Sequence, residues 1–224
     1  LRDVLIYRNA IHSIGDEGGF APNLFTNSEA FEVIVEAAKA IGLRLGYDVF
    51  FGLDAAASYF KKVGGYQLKD SPQLFATDQL VEYYKTLAST YQILILEDAF
   101  GEDDWEGWVR LTSELGDKVF IVGDDLLATN KTRLTRAIES HAANTILVKP
   151  NQIGTIFETL MLIKQAREAN FKIIVSHRSG ETNDTFIADF AVGVGADYVK
   201  FGAPARGERV AKYNRLLEIA ARLV

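Results

Sequence analysis

The sequence predicts an α/β fold: parallel strands wound into a (β/α)8-type barrel, with about six βα units in the chain. Three observations predict it. Short apolar runs rich in β-branched and aromatic residues alternate with amphipathic helical stretches. Each run is nearly all apolar, as expected of parallel strands covered on both faces. And each run carries an ionisable residue at its C-terminal tip, the last of them one residue short of the end: Asp54, Glu97, Asp124, Lys149, His177 and Lys200. Alternation alone fits a doubly wound sheet as well as a barrel. In an open sheet, however, ligands gather at one switch point, whereas in a barrel every strand's C-terminal end faces a common mouth. Charged tips on successive strands are economically explained by the shared mouth.

In chain order, the runs are Val49–Asp54, Ile93–Glu97, Val119–Asp124, Thr145–Lys149, Lys172–His177 and Asp197–Phe201. The first helical stretch, Ser28–Leu43, sets Phe31, Ile34, Val35, Ala38 and Ile41 on one face, with Asn27 or Ser28 as N-cap. Thr77–Tyr91, Asp104–Leu115, Lys131–His141, Thr155–Asn170, Asn183–Gly195 and Arg206–Leu223 follow the same pattern, most opened by Asp, Asn, Thr or Ser. Parallel neighbours need such crossovers, because a hairpin cannot join them.

Composition narrows the function. The 224 residues are 48% apolar and 24% charged, the make-up of an ordinary globular domain, and no linker-like tract divides residues 1–224. The absence of cysteine excludes thiolate metal sites and a thiol nucleophile. A net charge of −6 with no basic stripe argues against nucleic acid as primary ligand. No apolar run approaches the roughly 20 residues of a membrane span, and no signal-peptide pattern opens the chain. The only methionine is Met161 and the chain begins at Leu1, which suggests a piece of something longer or a processed product.

A charged residue ending a strand is commonly just its first exposed position. Six in succession, sorted into three carboxylates and then Lys, His and Lys, are harder to dismiss. Asp54, Glu97 and Asp124 converging on one mouth would repel one another without a cation among them. An all-oxygen set suits a hard ion such as magnesium, and zinc is disfavoured without cysteine and with few histidines. Lys149 and Lys200 across the mouth from such an ion are expected to have lowered pKa values, suiting one of them to act as a base. Such a base beside magnesium fits abstraction of a proton α to a carboxylate. His177-Arg178-Ser179-Gly180 offers a guanidinium, a hydroxyl and backbone donors suited to a phosphate or carboxylate. Gly15-Asp16-Glu17-Gly18-Gly19 is a glycine-bounded acidic loop; by itself Glu17 carries little weight.

GDEGGFAPN (15–23), LDAAAS (53–58), LEDAF followed by EDDW (96–105), GDDLLATN (123–130), KPNQIGT (149–155), SHRSGETND (176–184) and KFGAPARGERVAKYN (200–214) resemble the motifs of the enolase family, in the family's order. The resemblance covers nearly the whole chain and implies more than the residues alone. It implies the C-terminal catalytic barrel of a phosphopyruvate hydratase, a glycolytic, cytoplasmic lyase that interconverts 2-phosphoglycerate and phosphoenolpyruvate with two magnesium ions. Asp54, Glu97 and Asp124 then correspond to ligands of the first ion. Lys149 corresponds to the base that takes the C2 proton, and Glu17 to the acid that assists loss of the C3 hydroxyl. Arg178 and Ser179 correspond to the phosphate-binding pair, His177 to a histidine lining the substrate, and Lys200 to a lysine near the substrate carboxylate. Ala99 replaces a usual proline, and Pro150 follows the lysine where small apolar residues are common.

The family also carries an N-terminal capping domain and the first barrel strands, which have no counterpart here. The barrel is therefore expected to be N-terminally incomplete, and residues 1–224 alone are expected to fold poorly or be inactive. In full-length form a homodimer or higher homo-oligomer is expected, with a small phosphorylated three-carbon acid as substrate. The competing functions are an enolase-superfamily dehydratase of another acid and a non-catalytic enolase-like binding protein.

Overall fold

The computed structural model describes residues 1–223. In chain order its elements are α1 (Arg2–Tyr7), α2 (Asn27–Ala40), β1 (Phe51–Asp54), β2 (Lys61–Lys62), β3 (Gly65–Gln67), β4 (Leu74–Phe75), α3 (Thr77–Tyr91), β5 (Ile93–Glu97), α4 (Trp105–Leu115), β6 (Phe120–Gly123), α5 (Lys131–Ser140), β7 (Thr145–Val148), α6 (Pro150–Ile153), α7 (Ile156–Glu168), β8 (Lys172–Ser176), α8 (Phe186–Gly193), β9 (Tyr198–Lys200) and α9 (Gly207–Leu223).

Six strands form one parallel sheet in the order β1-β5-β6-β7-β8-β9. The order is sequential, without the reversal that defines a doubly wound sheet, so the barrel reading holds. The sheet curls far enough that Lys200, at the end of the last strand, reaches Asp54, at the end of the first, at 2.9 Å. The result is a half-barrel, part of a TIM barrel.

Side chains alternate faces along each strand, and the two faces do different work. Ile95, Phe120, Val122, Leu147 and Ile174 pack together inside the curl. Leu96, Ile121, Ile146 and Ile173 point outward into the main core, which includes Leu111 of α4, Leu134 of α5 and Leu162 of α7. Each fully buried leucine there contributes about 1.5–3 kcal/mol over an exposed one.

The helices start where local chemistry dictates. Asn130 accepts from the backbone N–H groups of Thr132 and Arg133 at the start of α5, and Thr155 from Glu158 at the start of α7. For α2 the cap is Thr26, one residue before the expected Asn27 or Ser28. Thr26 and Glu29 form a reciprocal capping box that neither of those residues could make with the residue three positions on.

The small antiparallel sheet β2-β3-β4 is absent from the sequence reading. Its strands are too short for a period-2 signal, and tertiary contacts hold it. The buried Tyr66 hydroxyl donates to Asp104 at 2.5 Å and accepts from the Gly101 N–H at 3.0 Å, tying β3 to the start of α4.

Candidate active site

The strand period explains which tips meet. With Ile95, Val122 and Leu147 facing inward, Glu97, Asp124 and Lys149 two residues on also face inward. Tyr198 packs on Phe120 with ring centroids 5.5 Å apart, which turns Lys200 inward too. The five tips Asp54, Glu97, Asp124, Lys149 and Lys200 therefore share one mouth.

Two lysines pair with the three carboxylates, Lys200 bridging two of them. Lys200 Nζ lies 2.9 Å from Asp54 Oδ2 and 2.7 Å from Glu97 Oε1. Lys149 Nζ lies 2.5 Å from Asp124 Oδ2. Burial pushes the Glu97 carboxyl up to about 7, with the Asp54 and Asp124 charges adding to the shift and Lys200 opposing it. For Lys200, burial favours the neutral amine, but Glu97 and Asp54 outweigh it and hold its pKa above the ordinary lysine value. The carboxylates at hydrogen-bond distance from this ammonium set that direction.

Sequence reasoning misses Asp98 and Asp125, because each stands beside an expected ligand and looks redundant. Asp98 sits at φ 44° and accepts from the N–H groups of Asp124 (3.0 Å) and Asp125 (2.9 Å), fixing the turn after β6. Burial pushes its carboxyl up to about 7. Among the described residues, Asp98, Asp124 and Asp125 form the carboxylate trio compact enough to hold a cation, one oxygen from each lying within 4.8 Å of the others. Asp124 Oδ1 is buried and, among the described residues, has no hydrogen-bond partner. An unsatisfied buried carboxylate oxygen is costly, and an all-oxygen donor set suits a hard dication. The residues present therefore fit magnesium.

The other wall is made of loops. His177 does not share the inward parity: Ser176 follows Ile174 on the inner face, and His177 lies past the end of β8, only 3% exposed. Its Nδ1 lies 2.8 Å from Arg209 Nη1 and its Nε2 lies 3.5 Å from Glu17 Oε2. Burial and the Arg209 charge lower its pKa to about 4, so the ring is neutral at pH 7. Ser179 Oγ donates to Glu17 Oε1 at 2.8 Å, and Arg178 Nη1 donates to Asn151 Oδ1 at 2.8 Å. Burial pushes the Glu17 carboxyl up, but the Ser179 hydroxyl, Lys200 and Arg209 together hold it below the usual carboxylate range.

Glycines bring these loops together. Ala203 N–H donates to Glu17 O at 2.8 Å, docking the 15–19 loop on the segment after β9. Gly202 has φ +80°, and a Cβ there would lie 2.6 Å from Glu17 O and 3.0 Å from the His177 ring. No larger residue fits without moving both.

Glu17, Asp54, Asp124, Lys149, His177, Arg178, Ser179 and Lys200 all line one cavity of about 590 Å³; Glu97 is buried outside that lining and is joined to it through Lys200. A second cavity, of about 550 Å³, lies between α2, β1 and α3 and is lined mainly by apolar side chains. It offers little to a charged ligand.

A chain that is 51% identical over 207 residues is the enolase of a Nitratiruptor species. The match covers 92% of this chain but 49% of that relative, so the chain spans about half the relative's length. No described helix is long and apolar enough to cross a membrane. A family model, "Enolase, C-terminal TIM barrel domain", matches residues 3–224. With the motif order, the half-barrel and the charged mouth all in agreement, the chain belongs to the enolase family as its C-terminal barrel.

Proposed function

We propose that this chain forms most of the catalytic barrel of a phosphopyruvate hydratase, which reversibly dehydrates 2-phosphoglycerate to phosphoenolpyruvate. The observation that carries the reading is the single cavity into which carboxylates, two lysines, Glu17 and the Arg178-Ser179 pair all open. Asp54, Glu97 and Asp124 would hold a magnesium ion; the orphaned Asp124 oxygen supports Asp124 as a ligand, and the compact trio that Asp124 forms with Asp98 and Asp125 makes those two the alternative oxygen donors. When bound, the ion would stabilise negative charge developing on the substrate carboxylate.

The chain's own groups supply the proton transfers. Lys149 Nζ takes the C2 proton, and Asp124 Oδ2, its partner at 2.5 Å, stands where it satisfies the ammonium so formed. Arg178 and Ser179 bind the phosphate, one through a planar fork of donors and the other through a hydroxyl. If Ser179 turns to the phosphate, Glu17 loses the hydrogen bond that favours its ionised form. Its pKa then rises, so it can deliver a proton to the departing C3 hydroxyl. Lys200 lies where it would pair with the substrate carboxylate, and His177 lines the same wall. Such an enzyme would work in the cytoplasm as a homodimer or higher homo-oligomer.

The test follows dehydration by full-length protein of 2-phosphoglycerate to phosphoenolpyruvate and, in parallel, of unphosphorylated glycerate to enolpyruvate, read as pyruvate, with magnesium titrated. Magnesium-dependent turnover confined to the phosphorylated acid is expected. Equal turnover of both acids would transfer the site to another dehydratase, and no turnover of either would leave a binding protein.

A further inference from the structure

Arg209, near the start of α9, is fully buried. Its guanidinium meets no carboxylate within salt-bridge distance among the described residues. It is spent on three loop carbonyls and one imidazole nitrogen. Nη1 donates to His177 Nδ1 at 2.8 Å and to Arg178 O at 2.7 Å. Nη2 donates to Ser179 O at 2.7 Å and to Asp16 O at 3.1 Å. The one remaining donor, Nε, is buried without a partner among the described residues. This single side chain therefore ties the 177–179 loop to the loop that carries Glu17.

The contact with His177 carries chemical information. A guanidinium has five N–H donors and no acceptor. A nitrogen 2.8 Å from it must present a lone pair, so His177 Nδ1 carries no proton. The ring hydrogen of the neutral imidazole is then on Nε2, the nitrogen that faces Glu17 Oε2 at 3.5 Å. We propose that Arg209 is a positioning residue that locks His177 in the Nε2–H tautomer, so that the imidazole presents a donor to the cavity wall beside Glu17, and that it holds the Glu17 and Arg178-Ser179 loops in register.

Two neighbouring features support a clamp at this point. Gly202 leaves room for both groups: a Cβ there would lie 3.0 Å from Arg209 Cδ and 3.0 Å from His177 Cε1. One helical turn further along α9, buried Lys212 pairs with Glu181 at 2.7 Å and donates to Thr182 O at 2.5 Å. Glu181 in turn accepts from the Arg178 N–H at 3.0 Å. One face of α9 thus pins both ends of the 177–182 loop with buried cations.

The tautomer stands on geometry alone, whereas its effect on turnover rests on the proposed hydratase activity. The test is ¹⁵N NMR of His177 in the full-length protein, alone at neutral pH and without substrate, compared with Arg209→Met and Arg209→Lys. In the native protein a bare Nδ1 and a protonated Nε2 are expected. Arg209→Met is expected to give a mixture of tautomers and at least a tenfold loss of kcat, with a smaller change in KM. Arg209→Lys keeps a cationic donor and is expected to retain the Nε2–H tautomer and recover part of kcat. A proton on native Nδ1 overturns the proposal, even if neither variant folds. An unchanged tautomer in folded Arg209→Met overturns it as well. Absent turnover in the native enzyme would instead count against the hydratase reading and leave the tautomer assignment intact.

Discussion

The two walls of the cavity are built on different principles. On the strand wall, Asp54, Glu97, Asp124, Lys149 and Lys200 are aimed by the pleat of a parallel sheet whose register is fixed by an apolar interior. On the loop wall, Glu17, His177, Arg178 and Ser179 have no such lattice. They are held by buried cations of α9 and by glycines that let backbones touch. A side chain aimed by a sheet takes its direction from the strand that carries it. One aimed by a loop depends on contacts made by residues that never reach the substrate.

The comparison breaks most visibly at Lys149. Lys149→Ala in the full-length protein is expected to slow the chemical step by about 10²-fold or more, the usual contribution of a positioned general base. Near-normal turnover in single-turnover kinetics would remove Lys149 from the role of base.

Asp124→Ala tests the same wall through the ion. Calorimetric titration is expected to show magnesium affinity reduced by at least the ~10–100-fold that losing even an outer-shell partner costs. Unchanged affinity would shift the ion toward other carboxylates.

Gly202→Ala tests the loop wall. Its φ of +80° and the Glu17 O at 2.6 Å from the new Cβ predict a destabilisation of about 1–3 kcal/mol, seen as a lower Tm, although the residue contacts no substrate. A variant as stable as the native protein would mean that the loops tolerate displacement.

The last test reads a slope rather than a loss. The folded-state pKa of His177 is depressed to about 4 from 6.5, so the unfolded chain binds the extra proton first as pH falls. The His177 contribution to stability is present above about pH 6.5 and is lost as pH falls toward 4. Denaturant titrations of native protein and His177→Gln should therefore converge in pH dependence above 6.5 and diverge below it, the native protein falling faster. Parallel curves through that window would show that the ring is not buried neutral.

Much of the strand wall is legible in the sequence, since alternation and a charged tip are local signals. Asp54, Glu97, Asp124, Lys149 and Lys200 can each be read from an apolar run followed by one ionisable residue, and they gather at the expected mouth. His177 is read by the same rule yet reaches the cavity from outside the strand parity, because the loop beyond β8 turns it there. Asp98 escapes notice because its two oxygens serve backbone N–H groups some 26 residues away in the chain. Arg209 looks like an ordinary residue at the start of a helix; nothing local marks a cation that will be fully buried. The β2-β3-β4 sheet is invisible for a similar reason, since its strands of two or three residues owe their existence to Tyr66 and its partners.

By itself the sequence determined the fold class, the family and the identities of the groups at the mouth, because periodicity, capping and motif order are written within short stretches of chain. Only the tertiary structure decided the pairings: Lys200 with Asp54 and Glu97, Lys149 with Asp124, and Arg209 with His177. The Lys200 pairings raise that lysine's pKa, and the Arg209 contact fixes which His177 nitrogen offers a lone pair. They depend on distances between residues far apart in sequence, and electrostatic interactions over a few ångströms change too steeply for spacing along the chain to predict them.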